Sequence, residues 1–441
     1  MQPLPGFRDF YPEDCARRNY ILHGWREVAR RYGFVEYDGP VLEPVELYKK
    51  KSGGELVGQL FEFVNKGGRD VTLRPEMTPT LARLVAARER DFRKPLKWFC
   101  VPQFFRYEKQ QRGRLREFYQ LNCDIIGEAS MAADAELIAL AIDTLRWFGF
   151  TQNEIVVRLS SRDVWISYLR HSMANDPKGY TEPDLQDFLA VADKMEREDE
   201  AITNSKLKRF NTSAGELRAW VDSSKQKLFD PGFDPATEGF SRFTAIHELL
   251  HDHLKPRGLL PCVDVDFSIV RGLAYYTGVV FEVFDRGRKE RALTGGGRYD
   301  RLLENMSDGR VILPALGFGM GDVVLANLIN ETPAAKAKME AWIAQHHAAD
   351  LYVVIAKEQR RPDALVLVQQ LRDAGYRVDF PLIAAKVGKQ FQTAEQLGAT
   401  RAVLVGDEWP AVKVKTLATR EETLIPAEKL AERLAVPAGS K

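Results

Sequence analysis

Apolar residues Ile21, Leu22, Trp25, Val28, Ala29 and Tyr32 share one face at helical spacing with arginines opposite, which predicts an amphipathic helix after the turn residues 3–12. Gly33 follows where a helix stop favours a residue without a Cβ. Residues 34–37 then read as a strand leading into GPVLEPVELY, in which Pro40 and Pro44 bracket Val41, Leu42 and Glu43. Proline has no amide to give a central ladder, so this strand belongs at an edge or an interface. Apolar runs at 98–105 and 118–126, joined by basic and amide residues, predict a long hairpin with a cationic tip. Residues 156–162 make a further strand, after which helical periodicity takes over at 184–193, about 206–221 and 244–254. The β-branched and aromatic run 279–284 is strand-like, and 285–289 with Gly287 reads as a hairpin turn. Small polar residues at 331–338 suit a linker. Beyond them the pattern restarts as strand 352–356, helix 362–374 ended by Gly375, strand 377–380, helix 388–397 and strands 402–405 and 412–415. This alternation belongs to a separate α/β domain.

Length and charge narrow the picture. The 441 residues are more than one core organises, and the pattern divides them into 1–330, a linker 331–338 and 339–441, with a helical insertion at about 163–258. Lysine and arginine (63) nearly cancel aspartate and glutamate (62), so any basic surface is local. No segment approaches the roughly 20 apolar residues of a membrane-spanning helix, and the first residues lack the apolar region of a signal peptide. A soluble protein of the cytoplasm or an organelle matrix is expected, without a membrane partner. Cys15, Cys100, Cys123 and Cys262 lie far apart with no CxxC pair, suggesting neither a disulfide framework nor a cysteine zinc site.

Several residues carry candidate chemistry. Glu76, in LRPEMT, offers a carboxylate to an ammonium group, or forms a solvated ion pair. Arg106 and Arg114 face each other across the hairpin, and two guanidinium forks suit a polyphosphate. Phe118 offers its ring to an adenine. Arg271 and Arg298 lie in the segment that contains the triple glycine 295–297, where bare backbone and fixed positive charge would suit a carboxylate or phosphate; the plainer reading is a glycine turn with surface arginines. His247 to His251 spell HELLH, a zinc-peptidase pattern. Phe243, Ile246, Leu249 and Leu250 already define a buried face there, and no third ligand follows beyond His253. A helix with solvated histidines is the expectation, and no zinc.

Taken together, these segments resemble a known family. Residues 106–120 are similar to the second signature motif of class II aminoacyl-tRNA synthetases, and PVLEP to the first. RGLAYYTG at 271–278 and GGGRYD at 295–300 resemble the two signature segments of histidyl-tRNA synthetases, and LRPEMT and REFYQLNCD fit the same family. GFGMGDVVL at 317–325 sits where the third motif belongs, with Val324 in place of an arginine that contacts ATP. With RGLAYY for the commoner RGLDYY, this points to a variant subgroup. The C-terminal pattern resembles the anticodon-binding domain shared by histidyl, threonyl, prolyl and glycyl synthetases.

The resemblance implies an α+β fold in which an antiparallel sheet is flanked by helices, and it implies ATP-dependent activation of L-histidine followed by transfer to tRNA(His). By the same resemblance Arg106 holds the α-phosphate, Arg114 the distal phosphates, Phe118 the adenine, and Arg271 bridges the substrate carboxylate and α-phosphate. Glu76, Thr78 and Gln120 match the ammonium contacts. Asp124 and Tyr276 match the imidazole contacts, with Tyr299 close by; the family's commoner residue at Asp124 is glutamate. Magnesium is implied with ATP, and Glu108 is a candidate ligand. The proline-bracketed strand implies a homodimer. Two alternatives stand beside this reading: a catalytically silent histidine sensor like the regulatory subunit of ATP phosphoribosyltransferase, and a synthetase of neighbouring specificity.

Overall fold

The computed structural model describes residues 2–49, 54–109, 111–173, 179–195, 198–230, 232–233, 243–267, 269, 276–287, 289–347 and 349–434. The chain divides into two compact units, Met1–Lys336 and Ala337–Lys441.

In the first unit the strands are β1 (Val35–Glu36), β2 (Leu42–Pro44), β3 (Phe61–Val64), β4 (Asp70–Leu73), β5 (Leu96–Cys100), β6 (Gln103–Phe105), β7 (Glu117–Ile126), β8 (Ile155–Ser161), β9 (Val263–Val265), β10 (Val279–Asp285), β11 (Thr294–Arg298) and β12 (Ala315–Gly321). Among the described residues the main sheet runs β1-β5-β7-β12-β11-β10-β8-β9, with β6 also on β7. Its middle is antiparallel throughout. Parallel pairs occur only at its two ends. The expected antiparallel core flanked by helices is what the chain forms.

One face of this sheet is covered by the helix Met131–Trp147, which packs on β7, β11 and β12, and by the helix Pro12–Arg31 beside it. The predicted stripe on Pro12–Arg31 is buried at Ile21, Trp25, Val28 and Ala29. Gly24 lets the two helices touch, because a Cβ there would overlap the Trp147 ring. Overpacking of that kind costs about 1–3 kcal/mol. Gly33, at φ +75°, ends the helix as its position suggests.

The hairpin forms with a single interruption. Cys100 lies opposite Asn122 and Gln103 opposite Tyr119, so β5 and β6 keep one continuous register on β7. Val101 and Pro102 lie between them; Pro102 has no N–H to give, but its carbonyl still accepts from the Gln120 N–H of β7 at 3.1 Å. The proline-bracketed β2 is an edge strand, as expected, in a second sheet ordered β2-β4-β3. Its Glu43 is buried and accepts hydrogen bonds from Thr80 Oγ1 (3.1 Å) and Arg83 (2.6 Å), which fixes the helix Thr78–Arg88.

Two expectations need correction. The helix expected at 206–221 is two helices, Glu200–Leu207 and Ala214–Phe229, separated by a 3-10 turn and by Asn211 at φ 52°. Ser213 and Glu216 form a reciprocal capping box that starts the second. Residues 331–338, read as a linker, do span the boundary between the two units, but they also contain the start of the helix Pro333–His347. Pro333 at its first position and the alanines behind it are good helix formers, and small polar composition alone does not separate the two states.

The second unit has β13 (Leu351–Ile355), β14 (Val378–Asp379), β15 (Arg401–Val405), β16 (Ala411–Thr416) and β17 (Glu422–Pro426) in the order β14-β13-β15-β16-β17. The helices Arg361–Asp373 and Val387–Gln396 pack on β13. Buried Gln390 bonds both the N–H and the C=O of Ile355, closing the end of that strand. The pattern reading missed β17, whose mostly exposed residues give little alternation.

Candidate active site

Side chains alternate across a strand, so Phe118, Gln120, Asn122 and Asp124 leave the same face of β7. On β12 they meet glycines: Asp124 pairs with Gly317, Asn122 with Gly319 and Gln120 with Gly321. A Cβ at Gly317 would overlap Asp124 Oδ1, and one at Gly319 would lie 2.8 Å from Gln120 Cδ. The β7 side chains can therefore lie across the sheet. The triple glycine works the same way. It is not the turn of the plainer reading but the middle of β11, where a Cβ at Gly297 would stand 2.9 Å from Tyr276 Cδ1.

Above this glycine floor lies a cleft of about 740 Å³. Its walls bring together the expected ammonium group Glu76, Thr78 and Gln120. They also hold the imidazole group Asp124, Tyr276 and Tyr299, and the nucleotide group Arg106, Glu108, Arg114 and Phe118. Arg271 lies outside the described residues.

At the deep end the buried Asp124 carboxylate accepts a hydrogen bond from the Tyr299 hydroxyl. Tyr276 is buried beside it. Burial pushes the nearby Tyr37 phenol well above its ordinary pKa, and the Cys100 and Asp124 charges add to this. Two residues before Glu76, Arg74 is buried and donates to Asp38 Oδ1 (2.8 Å), Gly39 O (2.8 Å) and Gln103 O (3.0 Å). Those bonds set the loop that presents Glu76. Arg106 Nε donates to Pro75 O in the same loop at 2.9 Å, with its guanidinium 5.2 Å from the Phe118 ring centre. Arg114 forms an ion pair with Glu108 at 2.6 Å.

Some residues of the cleft escaped sequence reasoning. Glu282 lines it from β10, paired with Gly295; an acid inside the otherwise apolar run 279–284 was the available signal. Arg291 lines it too, from a stretch that reads as a charged surface turn. Asp322, also in the lining, is buried, and burial raises its pKa to about 6 even though Arg8 lies 3.0 Å away. Tyr119 N–H donates to the same carboxylate at 3.0 Å. Arg8 also pairs with buried Glu117 at 3.1 Å, so a residue from the N-terminal turn region ties β7 to the helix Asp322–Glu331.

Arg298 does not serve a ligand. Its buried guanidinium is bound by Asp134, by Asp300 (3.3 Å) and by the carbonyls of Glu128 and Ser130, which pins β11 to the helix Met131–Trp147. In the HELLH segment Phe243, Ile246, Leu249 and Leu250 are buried as predicted, and His251 Nε2 is bonded to Leu228 O at 2.9 Å. Among the described residues no three His, Cys, Asp or Glu side chains gather as a metal site. Magnesium brought in with a nucleotide needs only one or two carboxylates; Glu108, paired with Arg114, and Glu282 are among the acids that line the cleft.

The pattern of the histidyl-tRNA synthetase family matches residues 6–321, and that of an anticodon-binding domain matches 350–436. The sequence is 42% identical to the histidine–tRNA ligase of Opitutus terrae, over 98% of this chain and 97% of that one. It is 36% identical to the chloroplastic/mitochondrial histidine–tRNA ligase of Arabidopsis thaliana, over 96% of this chain and 84% of that one. The crystal structure of histidyl-tRNA synthetase from a Nostoc species shares the fold, with a TM-score of 0.75 at 23% identity over 98% of each chain.

Proposed function

The chain belongs to the histidyl-tRNA synthetase family, and from that membership we propose how its cleft divides the work of a histidine–tRNA ligase. The observation that carries the reading is the buried Asp124–Tyr299 pair at one end of a cleft whose other end holds Arg106 and Arg114. An acid and phenols hydrogen-bond both nitrogens of an imidazole, and a substrate without that ring fails to use the acceptor capacity that the acid keeps beside its bond from Tyr299. Glu76, Thr78 and Gln120 then hold the α-ammonium group, which leaves the carboxylate facing the nucleotide.

A carboxylate oxygen of histidine attacks the α-phosphorus of ATP, the bond to the β-phosphate oxygen breaks, and pyrophosphate leaves. A hydroxyl of the terminal ribose of tRNA(His) next attacks the acyl carbon and AMP departs. Neither step needs a nucleophilic side chain; positioning and charge stabilisation carry them. Arg106 stabilises the α-phosphate and Arg114 the distal ones, while Phe118 packs on the adenine. Arg271 takes the bridging role on family resemblance alone. Magnesium bound with ATP would screen phosphate charge, and Glu108 is the side chain that would hold it.

Residues 1–330 serve as the catalytic domain and 339–441 read the tRNA. A homodimer is supported by apolar side chains left in water on the edge strands, Val35 at 63% exposure and Phe63 at 50% among them, with Val41, Leu42 and Val64 also exposed. Among the described residues no helix is long and apolar enough to cross a membrane. The silent histidine sensor is less supported, since both hairpin arginines line the cleft and the anticodon-binding pattern is present. The test is pyrophosphate exchange into ATP, expected only when histidine is added. Equal exchange with threonine or proline would count against the reading.

A further inference from the structure

The third motif brings a valine where positive charge is wanted, and the structure shows what surrounds it. Gly113, at φ +75°, turns the tip of the hairpin. A Cβ there would stand 3.1 Å from Val324 Cγ2, 3.7 Å from Glu290 Oε2 and 3.9 Å from Arg291 Cδ. Val324 and Arg291 therefore flank one point, although they come from different elements. Both line the cleft, together with Arg114 and Glu108.

The charges at this end are already arranged. Glu290 accepts a hydrogen bond from Arg112 at 2.7 Å and one from Asn327 at 3.4 Å. Glu108 pairs with Arg114 at 2.6 Å. Arg291 is steadied by a neutral group, donating to Gln111 Oε1 at 2.7 Å. Partial burial and then the positive charge of Arg114 pull its pKa down, against the weaker opposing pull of Glu108. Two guanidinium groups that repel each other at the rim of one cleft are stabilised together by a polyanion, whose charge relieves the repulsion.

We propose that Arg291 binds the distal phosphates of ATP beside Arg114, supplying from β11's leading turn the positive charge that Val324 does not. This rests on the cleft being the ATP site of a histidine–tRNA ligase. It makes Arg291 a substrate-binding residue acting on the nucleotide and not on histidine.

The experiment is the ATP and histidine dependence of pyrophosphate exchange by the full chain. It compares the wild type with Arg291→Gln, Arg291→Lys and the double variant Arg291→Gln with Val324→Arg. A charged hydrogen bond to phosphate predicts a rise of about tenfold in the KM for ATP in R291Q, with the KM for histidine within about twofold of wild type. R291K should fall between, and the double variant should regain ATP affinity. Wild-type exchange together with an unchanged KM for ATP in R291Q overturns the assignment and leaves the ligase reading standing. No histidine-dependent exchange by the wild type overturns both.

Discussion

The hydroxyl of Tyr299 is bonded to the carboxylate of Asp124, and both are buried over a strand position that has no side chain. The phenol orients the acid, so that the substrate ring meets an acceptor already in place.

Asp124→Asn keeps the shape and removes the charge. It is expected to lower kcat/KM for histidine in pyrophosphate exchange by about 100-fold or more, with a much smaller change in the KM for ATP. Equal losses for both substrates would mean that Asp124 supports the fold of the cleft and not recognition of the ring.

Gly317→Ala places a methyl group where Asp124 Oδ1 lies. Asp124 is a short buried side chain on the neighbouring strand and has little room to yield. The variant should lose about 1–3 kcal/mol of stability and most of its histidine affinity. Thermal unfolding and exchange kinetics on one preparation check both.

Arg8 bridges Asp322 and Glu117, and burial holds the Asp322 pKa at about 6. An unfolded aspartate titrates near ~3.9, so the folded chain binds this proton more tightly. The stability that protonation contributes is fully present below the unfolded value and is lost as pH rises through about 6. Arg8 limits that loss by pairing with the ionised form. In Arg8→Met the folded pKa should climb further and the loss should extend through neutral pH. The deficit against wild type in urea unfolding should be larger at pH 8 than at pH 5.5, approaching about 3–5 kcal/mol for a broken buried pair. An equal deficit at both pH values would show that Arg8 acts through packing.

Leu42 and Phe63 lie exposed on the outer strands of the sheet β2-β4-β3. The double variant Leu42→Asp, Phe63→Asp should sediment as a monomer at micromolar concentration while the wild type sediments as a dimer. A monomeric wild type would remove the homodimer from the proposal.

Part of the cleft was legible from the residues themselves, Glu76 in its short segment and Arg106, Arg114 and Phe118 on the hairpin, whereas Thr78, Gln120, Asp124, Tyr276 and Tyr299 came only from the resemblance to the family. The fold's helices and strands were legible from local periodicity, with Thr212–Ser213 and Glu216 a start signal that the longer helical period overrode. Relationships between distant segments were not legible. The triple glycine reads as a turn until its register against β10 and β12 shows a strand that must stay flat under its neighbours. Arg298 is compositionally indistinguishable from a ligand-binding arginine, and only its contacts with Asp134 and two carbonyls reveal a structural role. Arg8 and Arg291 sit in segments that look like solvated turns, and each gains its meaning from a strand or helix far away in sequence.

The alternating glycines of β12 also set a direction for change. At Gly317 and Gly319 the cleft is floored by bare backbone, so no single substitution there can remove another atom. Every replacement makes the space shallower. Because Asp124 and Gln120 lie over these glycines, a replacement there displaces a binding side chain as it fills the space, and room for a bulkier substrate has to be found in the side chains of β7 or at Tyr276 and Tyr299.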